Sequence, residues 1–175
     1  MTQALKKTQA LNKPQSPQDT QTPNPQGPRL IIRPIVAEDE PRWRELWAAY
    51  LAFYAATVSP KIYTRTFARL CDPDDLAMQG RLAVVEDIPV GLVHFLRHDH
   101  CWRSDQVVYL QDLFTTRDMR GRGVARGLID AVYDAADEQG CPTVYWMTQE
   151  FNFQARELYD KVGTLTPFIK YSRPE

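Results

Sequence analysis

The chain has 175 residues, of which 43% are hydrophobic and 11% aromatic, enough apolar material for the core of one domain. Its 21 Lys and Arg side chains nearly balance 22 Asp and Glu side chains, and the formal charge is −1. Without excess positive charge the chain lacks the electrostatic footprint of a nucleic-acid-binding protein, and no apolar run approaches the ~20 residues of a membrane span.

The N-terminal segment differs in composition from everything that follows it. Residues 1–28 are rich in Gln, Pro, Thr and Asn, which predicts a disordered tail before a domain over residues 29–175. The segment also lacks the apolar run of a signal peptide. Cys71, Cys101 and Cys141 are odd in number and widely spaced, which favours free thiols over a disulfide framework or a zinc ribbon. We therefore expect a soluble, cytoplasmic protein.

Short β-branched runs and helical spacing alternate through the first half of the domain. Pro28 and Pro34 bound the first run, which is typical of a strand at the edge of a sheet. The first helical stretch carries four aromatic residues on one stripe, at Trp43, Trp47, Tyr50 and Tyr54. The predicted elements of this half are a strand at 30–35, helices at 38–56 and 61–70, and strands at 81–86 and 88–98.

The second half alternates strands and helices again. Period-two alternation gives the strand at 106–116 two faces, one with Val108, Leu110, Asp112 and Phe114, the other with Tyr109, Gln111 and Leu113. The remaining predicted elements are a helix from Ala125 to Ala136 that ends at Gly140, a strand at 143–148, a helix capped by Asn152 and running to Lys161, and a last strand at 168–172. The order β-α-α-β-β-β-α-β-α-β predicts a single α/β domain, with a mixed, mostly antiparallel sheet and helices on both faces.

A glycine-rich loop joins the strand at 106–116 to the next helix. Its residues are Arg120, Gly121, Arg122, Gly123, Val124, Ala125 and Arg126. Glycines let a ligand approach the backbone, and the free amides and positive dipole of a helix N-terminus favour an anion such as pyrophosphate. The loop lacks the Gly-Lys-Ser/Thr of a Walker motif, and Gly127 lies one position late for a dinucleotide fold. A coenzyme A loop of the form Gln/Arg-x-x-Gly-x-Gly/Ala fits, and a purely structural turn stays open.

A second motif follows the loop after one helix and one strand. Asn152-Phe-Gln-Ala155-Arg-Glu-Leu158-Tyr159-Asp-Lys161-Val-Gly163 is similar to the N-x-x-A-x-x-L-Y-x-K-x-G signature of the GNAT superfamily of N-acetyltransferases. With the loop, this motif makes residues 30–171 resemble that superfamily, and most closely its branch of histone and polyamine acetyltransferases. The features similar to that branch are Leu110-x-Asp112-Leu113, Tyr145-Trp146-x-Thr148 and Phe168-Ile169-x-Tyr171.

The resemblance implies acetyl-CoA as the co-substrate and indicates the residues that bind it. The loop from Arg120 to Arg126 would bind the pyrophosphate, and backbone groups of Leu113, Phe114 and Thr115 would pair with the pantetheine arm. Asn152 would hydrogen-bond the pantetheine, with Ala155 and Tyr159 in the same site. The Leu113 amide would also face the developing oxyanion, an interaction worth about 3 kcal/mol in other acyl transfers.

By the same resemblance, Tyr159 is the candidate general acid. A thiolate leaving group has a reference pKa of ~8.5, so a phenol within hydrogen-bond reach suffices, although a tyrosine on a buried helix face can also be plain core. The general base stays open. Many relatives carry Glu-Asp where this chain has Gln111-Asp112, and an amide cannot act as a base. Asp112 is our catalytic candidate, beside Glu86, Glu150 and a water relay.

The resemblance also implies that the first two helices wall the acceptor site. Trp43, Trp47 and Tyr50 could hold an ammonium by cation–π attraction, although such a stripe can also be core packing. Gln111 and His98 complete the predicted acceptor-binding set. His94, His98 and His100 share a strand face, but acyl transfer from a thioester needs no metal, and we predict none.

Together these features predict an N-acetyltransferase that moves the acetyl group of acetyl-CoA to a primary amine by direct attack in a ternary complex. The expected acceptor is a small molecule such as a polyamine, an amino acid or an aminated metabolite, with a protein lysine as an alternative. A non-catalytic coenzyme A-binding module is the alternative of a different class. We expect no nucleic-acid or membrane partner, and a homodimer is a candidate assembly.

Overall fold

A computed structural model describes residues 29–174, so the predicted tail at 1–28 lies outside the described residues. Five strands form one sheet: β1 Leu30–Pro34, β2 Met78–Val85, β3 Ile88–His98, β4 Val107–Thr115 and β5 Val144–Trp146. Their spatial order follows the chain order, with the first four strands antiparallel and β5 parallel to β4. The predicted mixed sheet, with β1 at an edge, is confirmed.

Four α-helices accompany the sheet: α1 Glu40–Phe53, α2 Pro60–Leu70, α3 Val124–Glu138 and α4 Phe153–Val162. Prolines occupy the first turns of α1 and α2, where a missing N–H costs no hydrogen bond. Gly140 follows α3 with a φ of 67°, the left-handed backbone that commonly ends a helix. None of the helices in residues 29–174 is long and apolar enough to cross a membrane.

The sheet separates two hydrophobic cores, one under α3 and one under α1 and α2. The α3 core includes Val93, Phe95, Val108, Leu110, Leu128, Ile129 and Val132. The α1 core includes Trp43, Leu46, Trp47, Phe67, Leu82 and Leu92. Each fully buried aliphatic or aromatic side chain of this size contributes about 1.5–3 kcal/mol. The two cores fix the helices against opposite faces of the sheet, as the element order predicts.

A one-residue bulge interrupts β4. His94 of β3 pairs with Asp112, but the next residue, Phe95, pairs with Leu110. Gln111 is therefore the extra residue of β4 and has no pairing partner on β3. Such a bulge disrupts the ladder locally and re-aims the side chains that follow it.

The bulge reverses the side-chain directions of the second half of β4. Val108 and Leu110 lie in the α3 core, and Leu113 packs against that same core. Phe114 packs against the α1 core, and Asp112 accepts a hydrogen bond from α1. The predicted grouping of Asp112 and Phe114 with Val108 and Leu110 is therefore wrong, because an inserted residue shifts a period-two pattern by one.

The chain that follows α4 contains no helix or strand up to residue 174. The predicted strand at 168–172 is therefore wrong, since the single chain does not form it. The apolar side chains of the segment after α4 are 76–86% exposed, at Leu165, Phe168, Ile169 and Tyr171. The residues have the composition of a strand, but strand propensity stabilises nothing unless a neighbouring strand supplies the pairing.

Candidate active site

β4 and β5 form a fork, because they pair over only part of β4. Val108–Leu110 pairs with Val144–Trp146, and β5 ends there while β4 continues to Thr115. Beyond this pairing, the β5-side edge of residues 111–115 has no strand beside it among the described residues. Its backbone groups are available to an extended ligand that pairs as a strand would. This edge contains the residues predicted for the pantetheine arm, Leu113, Phe114 and Thr115.

Two buried hydroxyl groups mark the end of that edge. The Oγ1 atoms of Thr115 and Thr116 have no hydrogen-bond partner among the described residues. A buried polar group left unpaired costs about 1–3 kcal/mol, but both oxygens are buried and reach a ligand only if their side chains rotate. Arg120 donates from Nε to the Thr115 carbonyl at 3.3 Å and so connects the edge to the loop. The backbone groups of the edge, rather than these hydroxyls, fit an extended arm that carries amide groups.

The predicted phosphate loop lies at the N-terminus of α3 with two glycines in left-handed backbone. Gly121 has a φ of 72° and Gly123, the N-cap residue, a φ of 81°. Gly123 has no side chain that could cap the helix, so the first α3 amides are available to an anion. Val124 is buried in the α3 core and Ala125 is half-buried, which anchors the loop. Three arginine side chains are exposed around it, Arg120, Arg122 and Arg126. These features fit a pyrophosphate.

α4 begins close to the end of β5. Asn152 occupies the predicted N-cap position, but its side chain does not cap the helix. Its Nδ2 donates instead to the Thr148 hydroxyl at 3.0 Å. The ψ of 60° at Asn152 is far from the extended backbone from which a cap side chain reaches the first amides. The predicted side-chain cap is therefore wrong, although the helix starts where predicted. Ala155 is half-buried in its first turn.

Tyr159 is fixed between α4 and β5. Its ring lies 5.5 Å from that of Trp146, centroid to centroid. A Cβ at Gly163 would lie 2.5 Å from Trp146 Cη2, so the last glycine of the motif makes room for the indole. The Tyr133 hydroxyl donates to the Val162 carbonyl at 2.8 Å and connects α4 to α3. These contacts hold the phenol beside the open end of the fork.

The environment of Tyr159 favours its protonated form. Burial raises the pKa of Tyr159 to about 12, with a smaller contribution from Tyr54. The phenol therefore keeps its proton throughout the neutral range and can donate it to a thiolate. Burial also raises the pKa of Tyr54, and the nearby Thr148 hydroxyl partly offsets that rise. Tyr54, which belongs to the aromatic stripe of α1, therefore lies close to both Tyr159 and Thr148.

A buried carboxylate lies where α1 covers β4. Asp112 is 5% exposed, and its Oδ2 accepts from Trp47 Nε1 at 3.1 Å. The same oxygen lies 2.9 Å from His94 Nδ1, and Trp43 Nε1 donates to His94 Nε2 at 2.8 Å. No Lys or Arg of residues 29–174 forms a salt bridge with Asp112. Sequence reasoning missed His94 as part of this network, because the members of the network come from three separate elements, α1, β3 and β4.

The aromatic stripe of α1 is divided between core and cleft. Trp43 is entirely buried and Trp47 nearly so, and both indoles pack in the α1 core instead of lining an open acceptor site. Tyr50 is half-buried, and its hydroxyl donates to the Gln111 carbonyl at 3.3 Å. Burial raises the pKa of Tyr50, and the charge of Asp112 raises it further. Only the C-terminal half of the stripe therefore emerges from the core beside the bulge.

Two further tyrosines lie on the same side of the sheet. Tyr109 and Tyr145, paired across β4 and β5, stack with ring centroids 5.1 Å apart. Tyr145 lies at the rim, with its hydroxyl 3.1 Å from His98 Nε2. The nearby charge of Asp112 contributes to the raised pKa of Tyr109, after burial and Tyr145. The sequence could have indicated this pair only through the positions of the two tyrosines on neighbouring strands. Using that signal requires the correct register of β4 against β5.

The three histidines do not converge on one point. His94 is buried in the network with Asp112, whereas His98 is exposed at the rim. Within residues 29–174, no group of three His, Cys, Asp or Glu side chains is arranged to hold a metal ion.

Comparison with known proteins now bears on this geometry. The sequence model of the acetyltransferase (GNAT) family matches residues 43–164, which is well over half of the chain. The protein belongs to the GNAT family of acetyltransferases. The acetyltransferase is 39% identical over 147 residues to the D-amino-acid N-acetyltransferase HPA3 of Saccharomyces cerevisiae, covering 83% of this chain and 91% of that protein. It is 28% identical over 91 residues to a thialysine N-epsilon-acetyltransferase of Caenorhabditis elegans, covering 52% and 56% of the two chains.

Solved structures share the fold. The aminoglycoside N-acetyltransferase AAC(6')-Iy in complex with CoA superposes with a TM-score of 0.75 at 21% identity, over 86% of this chain and 98% of that one. That likeness shows the fold alone, whereas the family match and the relative at 39% identity identify the protein as an acetyl-CoA-dependent N-acetyltransferase, with acetyl-CoA as its co-substrate. The predicted histone and polyamine branch is not confirmed, since the relative at 39% identity is a D-amino-acid N-acetyltransferase.

Proposed function

We propose that the acetyltransferase modifies the primary amine of a small molecule, with amino acids as the first class to test. The observation that carries this proposal is the buried Asp112 carboxylate beside Tyr50 and Tyr109. An ammonium group is attracted both by a poorly solvated carboxylate and by the faces of tyrosine rings. The name of the relative from S. cerevisiae, a D-amino-acid N-acetyltransferase, supports the choice of amino acids.

Bound acetyl-CoA supplies the acetyl thioester, with its pyrophosphate on the loop amides and its pantetheine arm along residues 111–115. The Leu113 amide, just beyond the bulge, polarises the carbonyl group, a contribution of about 3 kcal/mol in other acyl transfers. The amine nitrogen of the acceptor attacks the carbonyl carbon directly, so that a C–N bond forms as the C–S bond breaks. Both substrates must therefore be bound together, at the open end of the β4–β5 fork.

The reaction removes two protons from the acceptor ammonium. Asp112 accepts the first, which produces the neutral amine that can attack, and later passes it to water. Tyr159 donates its hydroxyl proton to the departing sulfur and regains a proton from the nitrogen. The raised pKa of Tyr159 keeps the group fully protonated before each cycle, and it also makes the phenol a weaker acid than a free tyrosine. One proton is released for each amide formed.

A panel of amines tests the proposed acceptor class. Thiol release by purified protein with acetyl-CoA is measured with each amine of a panel: D-amino acids, L-amino acids, polyamines, an aminoglycoside and a lysine-containing peptide. The acceptor with the highest kcat/KM defines the class. A preference for the peptide by more than about tenfold would contradict the proposal. Asp112→Asn should lower kcat with the best amine by about 10²- to 10⁴-fold, the usual scale for general acid–base groups. The matched control is Asp134→Asn, a change at an exposed α3 carboxylate.

We further propose that two copies of the acetyltransferase form a homodimer through the segment after α4. Among residues 29–174, β5 is the last strand of the sheet, and no strand of this part of the chain pairs with its outer edge. Residues 168–172 have the composition of a strand, and Phe168, Ile169 and Tyr171 are largely exposed. A two-fold arrangement lets the segment of each copy pair along β5 of the other, which would bury both sets of apolar side chains.

Sedimentation velocity tests this assembly. The wild-type protein should sediment as a dimer, and Phe168→Asp should sediment as a monomer with its melting temperature little changed, because Phe168 contributes nothing to either core. Ile88→Asp is the matched control, an exposed apolar residue at the distant β2–β3 turn. A monomeric wild-type protein would rule the dimer out.

We also propose a cytoplasmic location, which rests on three free cysteines, Cys71, Cys101 and Cys141. Free thiols are typical of reducing compartments. Cell fractionation with an antibody against the protein tests the location, and recovery from an oxidising compartment would contradict it.

A further inference from the structure

His94 lies at the centre of a buried network with Asp112, but neither the family motifs nor the proposed mechanism uses His94 itself. It is 4% exposed, and its ring centroid lies 5.8 Å from that of Trp43 and 5.7 Å from that of Trp47. Gly80 pairs with it from β2, and a Cβ there would approach His94 Cδ2 to 3.2 Å. The imidazole thus occupies a close-fitting site between two indoles and a glycine.

The hydrogen bonds of this network determine which nitrogen of His94 carries the proton. An indole N–H can only donate, so His94 Nε2, 2.8 Å from Trp43 Nε1, must be the unprotonated acceptor. The proton is therefore on Nδ1, which donates to Asp112 Oδ2 at 2.9 Å. Protonation of Nε2 would direct two N–H groups at each other in a buried site. Trp43 thus keeps the imidazole neutral and in a single tautomer.

Two consequences for Asp112 follow from that tautomer. Donors from β3 and α1, His94 Nδ1 and Trp47 Nε1, both bind Oδ2, and neither uses Oδ1. Two bonds to one oxygen fix the rotation of the carboxylate, and with it the direction of Oδ1. Because the imidazole is neutral, it does not neutralise the carboxylate as an imidazolium would. The negative charge stays available to a cation that enters from the side of Tyr50 and Tyr109.

We propose that His94 is a positioning residue, which acts through Asp112 and whose tautomer is set by Trp43. His94 does not touch the substrates. It orients the carboxylate that receives the proton of the acceptor amine and leaves the charge of that carboxylate unpaired until the acceptor binds. This inference rests on the role of Asp112 in the proposed function.

Two isosteric substitutions separate positioning from packing. The side-chain nitrogen of Asn can take the place of His Nδ1, so His94→Asn retains a donor to Asp112 and loses the acceptor for Trp43. The side-chain oxygen of Gln can take the place of His Nε2, so His94→Gln retains the acceptor and loses the donor. We expect His94→Gln to lower kcat about 100-fold, the scale of a small misplacement of a catalytic group, with KM for acetyl-CoA unchanged. His94→Asn should stay within about tenfold of the wild-type kcat, a margin that corresponds to a modest loss of alignment.

A purely structural role makes a different prediction, in which kcat follows the melting temperature in both variants. Equal losses of kcat in the two variants, or wild-type kcat in His94→Gln, would overturn the proposal. Asp112→Asn separates this failure from a failure of the proposed function. If Asp112→Asn keeps wild-type kcat, the role of Asp112 is wrong. If it loses activity and His94→Gln does not, only the role of His94 is wrong.

A spectroscopic measurement keeps the proposal testable even if His94→Gln does not fold. Nitrogen-15 NMR of histidine-labelled protein should show His94 with a protonated Nδ1 and an unprotonated Nε2. Trp43→Phe retains an aromatic ring and removes the indole N–H, so it should abolish this single-tautomer signature and lower kcat. A protonated Nε2 in the wild-type protein, or wild-type kcat and tautomer in Trp43→Phe, would overturn the proposal.

Discussion

Replacing Gly123 by alanine should weaken acetyl-CoA binding through the backbone alone. Gly123 has a φ of 81°, and a Cβ built there meets no atom within 4 Å, so a methyl group causes no clash within the protein. The left-handed conformation costs a residue with a Cβ about 1–2 kcal/mol. In the absence of ligand the loop can relax away from that conformation, and binding must restore it. The dissociation constant should therefore rise about 5- to 30-fold.

Gly140 offers a matched control at the other end of α3. Its φ is 67°, and its Cβ position is equally open, but it lies away from the loop. Gly140→Ala should lower the melting temperature and leave acetyl-CoA affinity unchanged. Calorimetric titration of both variants with acetyl-CoA measures the difference. Wild-type affinity in Gly123→Ala, or an equal loss in Gly140→Ala, would refute the assignment of the loop to the pyrophosphate.

Three further outcomes are expected. Tyr159→Phe should lower kcat by about 10²- to 10⁴-fold with acetyl-CoA affinity retained, and stopped-flow or steady-state thiol release at wild-type level would exclude Tyr159 as the acid. Because the raised pKa of Tyr159, about 12, favours the protonated phenol, kcat with saturating amine should not decline between about pH 8 and 10. A decline in that range that Tyr159→Phe abolishes would contradict the raised pKa. Gly163→Ala should displace Trp146, which a Cβ would approach to 2.5 Å, and should therefore lower both the melting temperature and kcat. Circular dichroism measures the first effect and the thiol assay the second. Wild-type values of both would show that the indole has room to move.

Much of the fold could be predicted because local sequence patterns and tertiary packing agree over most of the chain. The spacing of Leu128, Ile129 and Val132 predicts the buried face of α3, and these residues do form the α3 core. Gly140 ends that helix where predicted, since a left-handed residue terminates helical hydrogen bonding regardless of the surroundings. Patterns of this kind depend only on neighbours in sequence.

Apart from the Asn152 cap, which a local bond to Thr148 replaces, the departures from prediction depend on contacts, made or missing, with residues that are distant in sequence. A bulge at Gln111 leaves no local signal, because an exposed glutamine suits either face of a strand. The segment at 168–172 has strand propensity but no adjacent strand among residues 29–174. Trp43 and Trp47 were placed at the acceptor because the stripe is aromatic, whereas its depth in the core depends on how α1 lies against the sheet.

For the candidate site, the residues predicted for the cofactor lie in continuous segments, and the network beside the predicted acceptor does not. The proposed phosphate loop and the α4 motif can each be recognised within one segment. The network of His94 and Asp112 with two indoles requires the register of β3 against β4 as well as the position of α1. A pattern within one segment cannot reveal this set, because the elements that carry its members are far apart in sequence.

The extra residue in β4 reverses which face of the sheet each later side chain of the strand points to. Upstream of Gln111, Val108 and Leu110 contribute to the α3 core, so changes at these two positions should alter stability rather than chemistry. Downstream, the same strand delivers the carboxylate to the opposite face. Replacing Gln111 would change one exposed side chain, whereas deleting it would move Asp112 to the side of the hydrophobic α3 core. The number of residues in β4 therefore matters more for the position of Asp112 than the type of residue at position 111.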